Sequence, residues 1–242
     1  MKRGFIRGLW GIHDHQGRRL YKRRSKIDND IKVLKANPWN EPFTAYVFGE
    51  DNYKFLVDEG FNAKLVDKRP IVWDIDTEQF RHKLEVLYQG MQEFDEVVFL
   101  DWDTYPIKRL PEDFWEVLSK KQPLQAILRS YKRRKAKWRT ENLKMIPCAS
   151  FVYCREKKVA EDLLQLWEDM GRPWSEERVI AKYTDDLLGG WQGMEEYWNN
   201  FEPDFFYLDE CKVFSKEQYA SKNRCFKHLN KKQVHRRLRV GW

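Results

Sequence analysis

Four uninterrupted apolar residues, Val97, Val98, Phe99 and Leu100, run straight into two acids, Asp101 and Asp103, with one Trp between them. An apolar run so short and continuous suits a strand covered on both faces rather than one stripe of a helix. Similar runs occur at residues 5–10, 43–48 (FTAYVF), 71–73, 126–128 and 151–153. Between them lie helical patterns. Phe80, Leu84, Leu87, Tyr88 and Met91 recur at spacings of three and four over residues 77–92, with Asp76 and Gln79 placed to cap the start. Val159, Leu163, Leu166, Trp167 and Met170 repeat the pattern over residues 156–170, and Gly171 stops it. Strands alternating with helices predict an α/β, Rossmann-type domain with a largely parallel central sheet flanked by helices.

The length of 242 residues fits one domain with a substantial core. No repeat and no low-complexity linker divides it. No apolar run approaches the roughly 18 residues that would suggest a membrane span. The opening MKRGFIRGLWG lacks the sustained apolar stretch and cleavage site of a signal peptide, so it is expected to belong to the mature chain. The four cysteines, Cys148, Cys154, Cys211 and Cys225, have no C-x-x-C spacing. That argues against a zinc ribbon and for reduced thiols in a cytoplasmic protein, the host cytoplasm if the chain is phage-encoded.

Charge is unevenly distributed. Residues 1–40 carry eleven Lys/Arg against three Asp, residues 129–144 eight against one acid, and residues 212–242 ten against one. The chain's net charge is only +7, so the remaining body is acidic. Residues 129–144 form a basic excursion and about 212–242 a basic tail. If these segments meet on one face they attract a polyanion; if scattered they are solvated loops.

The two acids at the strand end pose the chemical question. In open α/β sheets, ligands sit beyond the carboxyl ends of the strands. Side chains two apart on an extended chain point the same way, so Asp101 and Asp103 can grip a hard cation such as Mn²⁺ or Mg²⁺. Such a cation bridges a diphosphate and neutralises a departing nucleotide. The alternative is loop capping. Asp-x-Asp recurs here as Asp28/Asp30, in a polar stretch that reads as surface, and as Asp74/Asp76, which follows an apolar run.

The stretch DEVVFLDWDTYPIKRLPEDFWEVL resembles the D-x-D strand of GT-A glycosyltransferases, and the resemblance extends over roughly residues 40–210. It implies a GT-A-like fold and transfer of a sugar from a nucleoside diphosphate-sugar, most often UDP-linked, with Mn²⁺ or Mg²⁺ held by Asp101 and Asp103. The preceding helix would bring His82 and Lys83 to the donor. Glycogenin-like members complete the metal site with a late His. Here RCFKHLNKK offers His228, with Lys231 near to meet phosphate, although Lys231 stands where the fuller H-x-x-G-x-K pattern has Gly. In KYTDDLLGGW, Asp185 or Asp186 is the candidate catalytic acid facing the acceptor, with N-capping of a helix as its plainer role. Trp10 would stack on the base, Arg18 and Arg19 meet phosphate or acceptor, and Asp74 and Asp76 touch ribose or base.

Two rivals share some of these features. A metal-dependent nuclease also uses paired acids beside a basic surface, but no denser cluster of acids and histidines accompanies this pair. A non-catalytic nucleic-acid-binding module explains the basic segments and leaves the strand-end acids unexplained. For a transferase, the basic segments suit hydroxymethylated pyrimidines in DNA, the acceptor of some phage-encoded glycosyltransferases. They suit an anionic cell-surface glycan such as lipopolysaccharide equally well.

Overall fold

The structure is a computed structural model. It describes residues 1–10, 21–68, 78–102, 104–106, 109–110, 112–120, 123–130, 145–173, 176–188 and 226–228. In chain order the elements are β1 (Arg3–Leu9), α1 (Tyr21–Ala36), β2 (Phe43–Phe48), α2 (Glu50–Asp58), β3 (Ala63–Asp67), α3 (Glu78–Glu93), β4 (Glu96–Leu100), β5 (Thr104–Pro106), α4 (Phe114–Ser119), β6 (Leu124–Ser130), β7 (Met145–Cys154), α5 (Lys157–Asp169), α6 (Glu176–Leu188) and β8 (Phe226–His228). Six strands form one sheet in the order β3-β2-β1-β4-β7-β6, and β5 pairs with β8 in a separate ribbon. The first four sheet strands are mutually parallel; β7 runs antiparallel to both β4 and β6.

Both sheet faces are apolar, which explains the continuous runs. Ile6, Tyr46, Phe48, Val97 and Phe99 point to one side and pack with Leu84, Leu87 and Met91 of α3 and with Val159, Leu163 and Trp167 of α5. Their neighbours alternate to the other side. There Leu9, Ala45 and Val47 meet α1 and α2, while Phe5, Val98 and Leu100 meet Phe114 and Leu118 of α4. Each such side chain, once buried, contributes about 1.5–3 kcal/mol. Gly171 follows α5 at φ 69°, a left-handed turn that lets the chain leave the helix.

Some expectations need correction. Residues 71–73, read as a strand, lie outside the described residues. Asp28/Asp30 is not a surface pair: Asp30 is 2% exposed, lies on α1 beside the buried Ile27, Ile31 and Leu34, and accepts a hydrogen bond from Tyr105 Oη at 2.9 Å.

The sheet order places the ligand site. From β1 the chain builds outward through β2 and β3, then returns to lay β4 on the other side of β1. The carboxyl ends of β1 and β4 therefore form a topological switch point, where a crevice opens. β1 ends at Leu9, next to Trp10, and β4 ends at Leu100, next to Asp101.

Candidate active site

After Leu100 the chain turns at once. Thr104 N donates to the Asp101 carbonyl at 3.0 Å, closing a four-residue turn that contains position 103. Several buried groups hold this turn. Asp101 N donates to Ser150 O at 3.0 Å. Trp102 Nε1 donates to Gly8 O at 2.7 Å. Past the turn, and not part of it, Asn37 Nδ2 donates to Pro106 O at 2.8 Å in β5. Arg7, 1% exposed in the middle of β1, donates from Nη1 to the Asp101 carbonyl and from Nη2 to the Thr104 carbonyl at 2.9 Å.

The Asp101 carboxylate is partly open to solvent and meets Lys83. The Lys83 ammonium lies 2.9 Å from Asp101 Oδ1, 2.9 Å from Glu176 Oε1 and 3.2 Å from the Ala149 carbonyl. Three acceptors match its three N–H bonds. Burial alone would lower the ammonium's pKa; Asp101 and Glu176 outweigh it and the net shift is upward. Lys83 is thus a fixed cation that locks the Asp101 carboxylate to the first turn of α6. An irregularity in β7 contributes: opposite β6 its register jumps from Val152 to Cys148, and the extra residues supply the Ala149 and Ser150 carbonyls used here.

At the carboxyl ends of β1 and β2 stand Trp10 and Phe48, with His82 of α3 against them. Trp10 meets the Phe48 ring edge-on at 6.4 Å, and His82 lies 4.3 Å from Phe48 and 6.1 Å from Trp10. Trp10 remains partly exposed. It folds back tightly over β1, because a Cβ on Gly8 would fall 2.5 Å from its ring. His82 is buried with no hydrogen-bond partner on either ring nitrogen. Burial first, and then the Arg81 charge, lower its pKa to about 4, so the imidazole is neutral at pH 7.

Of the residues expected from the sequence, Trp10, His82, Lys83 and Asp101 come together at the switch point. β8 pairs with β5 so that His228 stands opposite Thr104, one residue beyond Asp103. Asp185 and Asp186 fall in the last turn of α6; the acids that open this helix are Glu176 and Glu177. Asp185 therefore does not cap a helix N-terminus. Asp74, Asp76, Asp103 and Lys231 lie outside the described residues, as do Arg18 and Arg19. Among the described residues no three His, Cys, Asp or Glu side chains cluster as a metal site. Position 103 and the His228 side chain lie outside the described residues. Among the described residues the Asp101 carboxylate is a hard-oxygen donor of the type that Mn²⁺ or Mg²⁺ takes.

Arg7 and Glu176 were not singled out from the sequence. A lone Arg inside the strand GFIRGL was the available signal for the first, since a buried charge requires partners. The acid pair just before Val179 and Ile180 was the signal for the second.

No protein-family model matches the chain, and no curated protein matches it by sequence. Solved structures do match. The apo crystal structure of mouse xyloside xylosyltransferase 1 superposes with a TM-score of 0.54 over 96% of this chain and 99% of that one, at 9% identity. A glycosyltransferase involved in glycosylation of the major capsid of PBCV-1 aligns over 99% of this chain and 100% of that one, with a TM-score of 0.46 and 10% identity. The first likeness spans nearly all of both chains, and the fold is GT-A-like: a six-stranded, mostly parallel mixed sheet flanked by helices.

Proposed function

We propose that this chain is a metal-dependent glycosyltransferase that moves a sugar from a nucleoside diphosphate-sugar, UDP-linked, to a hydroxyl acceptor. The observation that carries the reading is Asp101 at the switch point of a GT-A-like sheet, held by Lys83 and three residues before β5, the strand that pairs with His228-bearing β8. Asp101, Asp103 and His228 hold Mn²⁺ or Mg²⁺, which when bound neutralises the diphosphate leaving group. Trp10, with Phe48 and His82 behind it, offers an apolar wall for the base, and Lys231 a phosphate contact. Asp74 and Asp76 are assigned to the ribose or base.

Lys83 orients Asp101 rather than meeting the diphosphate itself, because its three protons are already taken. Glu176, buried in the first turn of α6, holds Lys83 together with Asp101 and would help keep that cation in place beside the donor. Asp185 is nine residues further along α6, about 14 Å at 1.5 Å per residue. That separation suits a role for Asp185 or Asp186 on the acceptor side, as the base for the attacking hydroxyl.

For the acceptor we favour hydroxymethylated pyrimidines in DNA. The described anchors of two of the basic segments, the excursion and the tail, support it; of the first segment, Arg18 and Arg19 follow Trp10 in sequence after the carboxyl end of β1, while Lys2 and Arg3 stand at its other end. β6 and β7 continue past the carboxyl end of β4 before the excursion joins them, since Leu100, the last residue of β4, pairs with Phe151 while β7 begins at Met145. The tail follows β8, beside Thr104. These two roots are at the site's end of the sheet, where phosphate contacts would position a duplex, and the target base would leave the stack to reach the donor. Among the described residues no helix is long and apolar enough to cross a membrane. We place the enzyme in the cytoplasm.

The test is transfer. Duplexes containing 5-hydroxymethylcytosine or 5-hydroxymethyluracil are incubated with UDP-sugars and Mn²⁺, and their nucleosides are weighed by mass spectrometry. A hexose or pentose mass gain is expected. Transfer to lipopolysaccharide core with none to DNA overturns the acceptor and keeps the chemistry; protection by DNA without any transfer favours the binding module.

A further inference from the structure

We propose that Arg7 is a positioning residue for the metal-binding turn: its guanidinium fork fixes the backbone at both ends of that turn, Asp101 and Thr104, and so the placement of the Asp101 carboxylate. This rests on the metal-dependent reading above. Arg7 occupies a core position of β1, between Phe5 and Leu9, where an apolar side chain would pack more simply. Instead it is 1% exposed and spends two N–H groups on carbonyls at the two ends of one turn, Asp101 O and Thr104 O. Aromatic rings flank it, with its guanidinium carbon 4.9 Å from the Phe43 centroid and 5.8 Å from that of Trp102. Two separate carbonyls fixed by one planar group define a distance and an angle, which a single point charge cannot do. The turn they define is the one whose own hydrogen bond runs from Thr104 N to Asp101 O. A cation held at that turn gains from its ligands being placed beforehand. Arg7 thus acts on the metal through backbone, although as a like charge beneath the site it should by Coulomb repulsion alone weaken cation binding.

That opposition makes the test sharp. Wild type, Arg7→Lys and Arg7→Met are titrated with Mn²⁺ in the presence of UDP, with free Mn²⁺ read by electron paramagnetic resonance. Melting temperatures and UDP affinity without metal are measured alongside. Asn37→Ala, which removes the bond to Pro106 O just past the turn, serves as the comparison for simple loss of a buried hydrogen bond. The expected result is Mn²⁺ uptake weakened at least tenfold in both Arg7 variants, with metal-free UDP affinity within twofold of wild type, while Asn37→Ala melts lower and takes up Mn²⁺ normally. Lys matching Met identifies the fork, not the charge, as the active property. Uptake in the Arg7 variants equal to or tighter than wild type overturns the proposal, as does full rescue by Lys or an equal loss in Asn37→Ala. If neither Arg7 variant folds, Phe43→Leu loosens the guanidinium's wall while keeping Arg7 and both carbonyls; it should weaken Mn²⁺ uptake, and normal uptake there overturns the proposal. No Mn²⁺ uptake by folded wild type removes the metal reading itself and this proposal with it.

Discussion

Replacing Lys83 by Met should be the most damaging single change near the site that leaves the sheet's apolar packing intact. The side chains of Lys83 and Glu176 are 12% and 10% exposed, and that of Asp101 is 29%. Removing the cation strands two carboxylates that share it. Breaking a buried ion pair from one side costs about 3–5 kcal/mol, and the access of Asp101 to water puts this case near the lower end, about 3 kcal/mol. In a chain of 242 residues, about 2–4 °C of melting temperature accompanies each kcal/mol, so a fall of roughly 6–12 °C is expected. The pH dependence carries a sign. The folded ammonium has its pKa raised above 10.5, so its contribution is complete below that value and fades as pH rises through the folded value. The gap in stability between wild type and Lys83→Met should therefore hold steady from pH 7 to 9 and shrink above about 10.5. Thermal melts of both proteins across that range are the assay. A variant melting within 2 °C of wild type, or a gap that widens at high pH, would refute the assignment of Lys83 as the shared cation.

Other changes separate the roles of neighbouring residues. Glu176→Gln should slow UDP-sugar hydrolysis without acceptor at least tenfold, while Asp185→Asn and Asp186→Asn should spare hydrolysis and reduce transfer; the reverse pattern in product assays would exchange the assignments. His82→Phe should flatten the acid side of the stability curve, because the folded pKa of about 4 lies below the ordinary 6.5, so stability present above 6.5 is lost as pH falls towards 4, on the order of 3 kcal/mol at most. An unchanged acid limb in melts of that variant would place His82 in a wetter setting. Gly8→Ala puts a methyl 2.5 Å from a Trp10 ring carbon and 2.7 Å from Val86 Cγ2, so it should cost about 1–3 kcal/mol and shift Trp fluorescence as Trp10 swings out.

The sequence spoke most clearly where a local pattern has one physical solution. Val97 to Leu100 could be buried on both faces only in a covered strand, and the stripes on α3 and α5 needed a sheet beneath them. α1 was hidden because Lys22, Arg23, Arg24 and Lys26 crowd the sequence of its first turns, while among the described residues its apolar contacts come from Ile27, Ile31, Val33 and Leu34. β3 was missed because AKLVD is an edge strand with no fully buried residue. At the site, Asp101 was legible from its place after an apolar run. Lys83 was noticed, but its partners were not, since they lie far along the chain on a β7 irregularity and on α6. Arg7 reads in sequence as one more basic residue of a basic segment; only the turn folded over β1 gives its charge a purpose. Asp185 was placed at a helix start from its neighbours' composition, whereas the helix had already begun at Glu176.

The most direct measurement is UDP release from UDP-sugars by wild type and Asp103→Ala, with Mn²⁺ present and with the metal chelated. The account requires Mn²⁺-dependent release by the wild type that chelation stops, and its loss in Asp103→Ala at an unchanged melting temperature, because a metal-ligating carboxylate contributes several kcal/mol to the transition state. Release that persists after chelation, or in folded Asp103→Ala at the wild-type rate, would contradict it.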